Sequence, residues 1–347
     1  MTTTTAAPSI PTLQQQAPVL LGHAAGLACS RTIAMGLRHG LIAALAEHPQ
    51  GRTSDDLAES LSLDPFFTRV WGQGAVAAAI CDRDGETYTL APQMATLLLD
   101  RTSPAFVGGV FTLMEQPEMF TRFDTELPTG ERLWWDQCSP DWITGVAGTG
   151  TPFYTRLIPG GLQQVPDLAD RLAAGCRVVD TACGSGVGLL ALARSYPNCT
   201  VIGIDGDRHS LNDAGAAVAA AGIGDAVTLI ESPLEQMTLD RPAAVVLNNI
   251  SMHECRDIDA VAERVLGMLE PGGIFVISDF PFPETTDGLR STPGRIMSGI
   301  QYFEAQIDDQ LLPRTAYDAL LQRHGFVGIG HVELTPMHAL TYGRRAS

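Results

Sequence analysis

Val178-Val179-Asp180-Thr181-Ala182-Cys183-Gly184-Ser185-Gly186-Val187-Gly188 reads as an apolar strand that ends in an acid and turns through alternating glycines into a helix. Glycine lets a backbone turn sharply and approach a ligand where any Cβ would collide. The helix expected from Val187 to about Arg194 aims its partly positive N-terminus at the same place. The spacing is G-x-G-x-G, through Gly184, Gly186 and Gly188. A dinucleotide fingerprint reads G-x-G-x-x-G and ordinarily lacks an acid just ahead of its first glycine, so the loop suits another nucleoside-bearing ligand better.

Downstream, Val201-Ile202-Gly203-Ile204-Asp205 is a second strand that terminates in a carboxylate. In a doubly wound sheet it runs beside the first, where Asp205 can accept hydrogen bonds from both hydroxyls of a ribose lying over the glycine loop. A glycine-rich turn alone is more often only a turn; the strand-helix-strand unit with both acids argues for a nucleoside site. The second half of the chain keeps alternating strand and helix, with strands expected at 177–181, 200–205, 226–231, 243–247 and 274–279. The stretch 281–313 reads as irregular, a helix follows over 314–324, and two last strands (327–333 and 339–343) flank Thr335-Pro336. So short a link makes that final pair antiparallel. The expectation is an α/β protein with a Rossmann-like, seven-stranded sheet.

A chain of 347 residues with 45% hydrophobic content can bury two cores. No basic segment followed by an apolar run lies near the N-terminus, and no apolar run is long enough to span a bilayer, so a cytoplasmic protein is expected. The formal net charge is −17, and all 22 bases are arginine. Without lysine there is neither a Schiff base nor a Walker-type phosphate lysine, and the acidic balance speaks against nucleic acid as a partner. The seven cysteines are scattered without C-x-x-C pairs, and no histidine pair has metal-site spacing, so reduced thiols and no metal are expected. Cys183, inside the glycine loop, reads as a small filler beneath a ligand rather than a nucleophile.

Residues 1–18 are polar and low in complexity and read as a tail; 19–100 form a first domain, 101–160 a helical linker and pocket segment, and 161–347 the ligand-binding domain. In the first domain, apolar residues at helical spacing run from Leu20 to Leu45, Thr53 and Asp64 are N-caps, and Asp84-Gly85 is the turn of a hairpin. Helix, helix, hairpin is the order of a winged helix. Between Asp64 and Ile80 the only base is Arg69, and residues 1–150 hold 16 acids against 8 arginines. Such a helix suits burial in a partner subunit rather than a DNA groove, so a homodimer is expected. Trp134, Trp135, Trp142 and Tyr154 sit just ahead of the ligand domain, where covering a ligand and packing domains together explain them equally well.

VVDTACGSGVG at 178–188, VIGID at 201–205, AVVLNN at 244–249 and LEPGGIFVISD at 269–279 together resemble the class I S-adenosylmethionine-dependent methyltransferases. The resemblance, over about 19–344, is closer to bacterial small-molecule O-methyltransferases with an N-terminal winged-helix dimerisation domain. It implies S-adenosyl-L-methionine as cofactor, with Asp180, Cys183, Gly184 and Gly186 around its methionine portion and Asp205 and Gly206 at its ribose. Glu231, Ser232, Pro233 and Leu234 would flank the adenine, whose amino group falls to backbone, to the Ser232 hydroxyl or to Glu231; the backbone of Asn248 would lie near the methionine amino group, and Asn249 is a further cofactor-binding residue. It places His253 where relatives carry a general base, although a histidine there can also pack or pair with Glu254, and Cys255 replaces the usual aromatic. An imidazole with an ordinary pKa near 6.5 can take a proton from an attacking hydroxyl. The implied reaction is methylation of a small apolar or aromatic molecule in secondary metabolism, on oxygen, with carbon or nitrogen as the alternative. A pocket beyond the strand ends would include Trp142, Tyr154, Met297 and Tyr302. A ligand-sensing regulator without methyl transfer is the rival from another class.

Overall fold

The computed structural model describes residues 10–133 and 137–347, apart from the side chains at 140, 141, 143, 144 and 147. Trp134 and Trp135 therefore lie outside the described residues. Two compact units divide the chain: the first extends to Asp100 and adds Phe106–Glu115, the second takes Arg101–Ala105 and Gln116–Ser347. The segment read as a linker thus falls into both.

In the first unit, α1 (Leu13–Arg38) opens on a capping box in which Thr12 and Gln15 satisfy each other's free backbone N–H groups. Helix consequently begins inside the stretch to Pro18 that reads as a tail. There follow α2 (Leu41–Ala46), β1 (Arg52–Thr53), α3 (Ser54–Leu61), α4 (Pro65–Ala77), β2 (Cys81–Asp84), β3 (Thr87–Leu90), α5 (Met94–Leu98) and α6 (Gly108–Leu113). Thr53 caps α3 in a box with Asp56, and Asp64 caps α4 by accepting from the Phe67 N–H, with Pro65 in the first turn where it costs no hydrogen bond. The strands form an antiparallel sheet in the order β1-β3-β2. Leu45, Leu57, Trp71 and Tyr88 anchor the core of this unit. Leu20, Leu21 and Leu27 of α1 and Phe66, Phe67 and Val70 of α4 stand exposed.

The second unit opens with α7 (Thr121–Glu126), α8 (Pro140–Arg156) and α9 (Leu168–Ala174). Strands and helices then alternate as β4 (Arg177–Thr181), α10 (Val187–Ser195), β5 (Thr200–Asp205), α11 (Arg208–Ala220), β6 (Val227–Glu231), β7 (Ala243–Asn249), α12 (Ile258–Met268) and β8 (Leu269–Asp279). The chain closes with α13 (Thr286–Arg290), α14 (Thr292–Glu304), α15 (Arg314–Arg323), β9 (Val327–Thr335) and β10 (His338–Arg344). All seven strands join one sheet, β6-β5-β4-β7-β8-β10-β9. Strands β4 to β8 pair in parallel, while β10 is antiparallel to both neighbours. Alternation along each strand feeds two cores: Val178, Val201, Val245 and Val276 pack on one face, and Val179, Ile202, Val246 and Phe275 on the other.

The sequence reading fails at 281–313, which is largely helical. Thr285 and Ser291 cap α13 and α14 by accepting from the N–H groups of Gly288 and Gly294. Pro293 occupies the first turn of α14, so the residues that look like helix breakers stand where a helix tolerates them.

Candidate active site

Strand order places the site. From β4 the chain moves outward through β5 to β6, then returns to the other side of β4 with β7, so the crevice over the carboxyl ends of β4, β5 and β7 lies at a switch point of the winding. Asp180, Asp205 and Asn248-Asn249 are brought to that edge by register: Asp180 pairs with Gly203 and Leu247, and Thr181 with Asn248.

Between β4 and α10 the backbone is left-handed at Ala182 (φ 54°), Gly184 (φ 52°) and Gly186 (φ 85°). Only glycine adopts that conformation without strain, so Ala182 is held there by its surroundings. Gly188 is needed for space instead: a Cβ on it would stand 2.2 Å from Cε1 of Tyr154 and 2.3 Å from Oδ2 of Asp180. The Tyr154 hydroxyl donates to Oδ1 of Asp180 at 3.3 Å, while Oδ2 is buried without a partner. Burial, offset in part by the Tyr154 hydrogen bond, pushes the Asp180 carboxyl up to about 7. Cys183 is buried beneath the loop, and burial, then Asp180 and Asp205, raise its thiol far above the usual range, which suits a filler and not a nucleophile.

Asp205 stitches the loop to β5. Its Oδ2 accepts the Gly184 N–H and its Oδ1 the Asp207 N–H, each at 2.8 Å. Each oxygen keeps a lone pair, and burial raises the carboxyl despite these bonds. Gly206 follows, in ordinary contact with the Pro233 backbone. Glu231 is engaged by Arg208 at 3.0 to 3.2 Å, and the Ser232 hydroxyl donates to the Pro233 carbonyl at 3.0 Å. Both side chains weighed for an adenine amino group thus carry other hydrogen bonds. Leu234 turns into the core. Asn248 spends its side chain on Thr181 and Ser251, and Oδ1 of Asn249 accepts from Ser278 at 2.6 Å.

After β7 the chain turns through Ile250, left-handed at φ 48°, a strained value for a β-branched residue. It then buries His253, whose Nδ1 lies 2.8 and 2.9 Å from the two oxygens of Asp279 at the end of β8. Asp279 also accepts from the Tyr317 hydroxyl at 2.6 Å and the Phe280 N–H at 2.8 Å. These fix the imidazole with Nε2 facing Glu304 at 3.8 Å and Glu254 at 4.0 Å. Burial opposes charge on the ring, but Asp279, then Glu304 and Glu254, prevail and push it up to about 10. Asp279, Glu304 and Tyr317 escape sequence reasoning. An acid closing the apolar run IFVIS of β8 was the signal for Asp279; none announces Glu304, on a helix read as loop.

The four residues expected to line an acceptor pocket stand in different settings. Trp142 is buried with its ring 4.1 Å from that of Phe303. Met297 is buried, and Tyr154 belongs with Asp180. Tyr302 is 41% exposed and packs on Phe120 and Phe123, away from the buried face of α14 that carries Met297 and Phe303.

Residues 172–315 match a family model described as a methyltransferase domain. The carboxy-S-adenosyl-L-methionine synthase of Shewanella woodyi is 26% identical over 141 residues, covering 39% of this chain and 58% of that protein. The chain thus spans little more than half the length of this curated relative. Among solved structures, the O-methyltransferase family protein from Burkholderia thailandensis superposes with a TM-score of 0.71 at 17% identity, over 98% of this chain and 99% of the other. Human N-acetylserotonin methyltransferase, solved with S-adenosylmethionine, gives a TM-score of 0.69 at 15% identity, over 97% of this chain and 100% of the other. At such identities the structures establish the fold alone, which this chain shares with them.

Proposed function

We propose that this chain moves the sulfonium methyl of S-adenosylmethionine onto a small apolar or aromatic acceptor, on oxygen. The observation that carries the reading is the clasp made by β4 and β5, in which Asp205 holds the Gly184 N–H and Asp180 keeps a buried, unpartnered oxygen beside the same loop. When bound, the cofactor supplies an electrophilic carbon whose bond to sulfur breaks as the acceptor attacks, releasing S-adenosylhomocysteine. The chain's own part is alignment and exclusion of water, with His253 to take the proton that a hydroxyl acceptor gives up. Asp205 offers its free lone pairs to the ribose, and Asp180 offers its unpartnered oxygen to the ammonium. Calorimetry tests this: both S-adenosylmethionine and S-adenosylhomocysteine are expected to bind, and Asp205→Ala to weaken them at least tenfold. Unchanged affinity in that variant removes the site.

A second reading, methylation of nitrogen or carbon, is favoured by one feature. Nε2 of His253 faces two carboxylates rather than open space, which suits an acceptor needing no base there. For the first unit, the winged-helix order and the exposed Leu20, Leu21, Leu27, Phe66 and Phe67 support a homodimer face. No described helix is long and apolar enough to cross a membrane.

A further inference from the structure

We infer that His338 and Ser278 are positioning residues, which turn the side chain of Asn249 so that its amide donates a hydrogen bond to the carboxylate of bound S-adenosylmethionine; the inference rests on the cofactor reading above. The three residues stand on the neighbouring strands β10, β8 and β7, and all are buried. Nε2 of His338 lies 2.7 Å from the Ser278 hydroxyl, which in turn lies 2.6 Å from Oδ1 of Asn249. An amide oxygen only accepts, so Ser278 spends its proton there and receives one from the ring. Burial first, and then Arg156, lower the imidazole to about 3 and keep it neutral. Its single proton is therefore on Nε2, and Nδ1 is a lone pair that makes no hydrogen bond.

The relay leaves over the Nδ2 donor of Asn249, which is buried without a partner. A donor held in that state is costly unless a ligand oxygen meets it. Strand alternation fixes the face on which it lies. Val178 pairs with Val245 and Asp180 with Leu247, and Val178, Val245 and Leu247 share one core. Asp180 and Asn249 each follow two positions on from a member of that core, so they occupy the same face of neighbouring strands. At about 3.3 Å per residue and about 4.8 Å between strands, the two stand about 8 Å apart along the carboxyl edge. That is the reach of an α-amino acid with a hydrogen bond at each end. Oδ2 of Asp180 is an acceptor without a partner and Nδ2 of Asn249 a donor without one. The pair complements the ammonium and the carboxylate of the cofactor's amino-acid end.

Packing holds the relay in place. Helix α8 covers this row of polar groups, with the Phe153 ring 4.4 Å from that of His338 and the Tyr154 hydroxyl on Asp180. Without Ser278 and His338 the amide of Asn249 is free to turn over, and its oxygen then meets the carboxylate in place of its nitrogen.

Calorimetry on the full-length protein compares S-adenosylhomocysteine with its decarboxylated analogue, which keeps the adenosine and the amine and lacks only the carboxylate. Wild type is expected to bind S-adenosylhomocysteine about tenfold or more tightly than the analogue. Asn249→Asp, isosteric but without the donor, should weaken S-adenosylhomocysteine by about 100-fold and leave the analogue no weaker. Ser278→Ala and His338→Leu should each cost S-adenosylhomocysteine about tenfold and leave the analogue unchanged. His338→Gln, whose amide nitrogen reproduces the Nε2 donor, should restore binding to within about threefold of wild type. Should Asn249→Asp fail to fold by circular dichroism, Ser278→Ala and the contrast between His338→Leu and His338→Gln decide by the same criterion. Equal losses for both ligands, which a merely structural role produces, or an unchanged preference for S-adenosylhomocysteine in these variants, overturn the inference and leave the cofactor site standing. No heat from S-adenosylhomocysteine with wild type removes the methyl-transfer reading and this inference with it.

Discussion

Asp180 is the residue whose ionisation the fold perturbs in a way that can be read directly. Its carboxyl is raised from 3.8 to about 7, by burial first. Below pH 4 folded and unfolded chains both hold the proton; between 4 and 7 the unfolded chain has released it and the folded one has not. The cofactor-free protein therefore loses stability as pH rises through that window, on the order of 4 kcal/mol, and levels off above it. Asp180→Asn removes this contribution, so the difference in unfolding free energy between wild type and variant should change by that order between pH 4 and 8 in denaturant titrations. A constant difference would show that Asp180 ionises normally. A bound cation beside Oδ2 offsets the same cost, and the cofactor's ammonium is the expected source. Asp180 and Asp205 are legible in the sequence because an acid closing an all-apolar strand has no packing reason to be there. Asp279 follows the same rule, whereas its partners, His253 and Tyr317, meet it only through the fold.

Among elements, α14 is where reading and structure part most widely. Pro281, Pro283, Pro293, Gly288 and Gly294 suggest a loop. The prolines precede or begin the helices, and each helix starts on a hydroxyl cap. Ser291 closes α13 and caps α14, so Ser291→Ala should cost about 1 kcal/mol, measured by chemical denaturation. The parallel strands were legible almost to the residue, since central strands buried on both faces are continuous apolar runs bounded by turns. Their extensions, β7 to Asn249 and β8 from Leu269, come from pairing with each other, which no local pattern encodes.

Taken whole, the molecule combines a strongly acidic surface with exposed apolar side chains on α1 and α4 of its first unit. A net charge of −17 keeps copies apart unless a specific apolar face offsets the repulsion. Leu20→Asp combined with Phe67→Asp should shift sedimentation from dimer to monomer and leave the melting of the second unit's cores in place. Monomeric wild-type protein at micromolar concentration would remove the dimer reading.

Periodicity and turn chemistry in the chain were enough to settle the α/β class, the strand order of the glycine-loop unit, the antiparallel closing pair and the two aspartates at neighbouring strand ends, because all of these are local patterns. The constellation around His253 was decided by tertiary structure alone. Its members come from the loop after β7, the end of β8, α14 and α15, and only the pairing of β7 with β8 and the packing of the helices bring these distant stretches together.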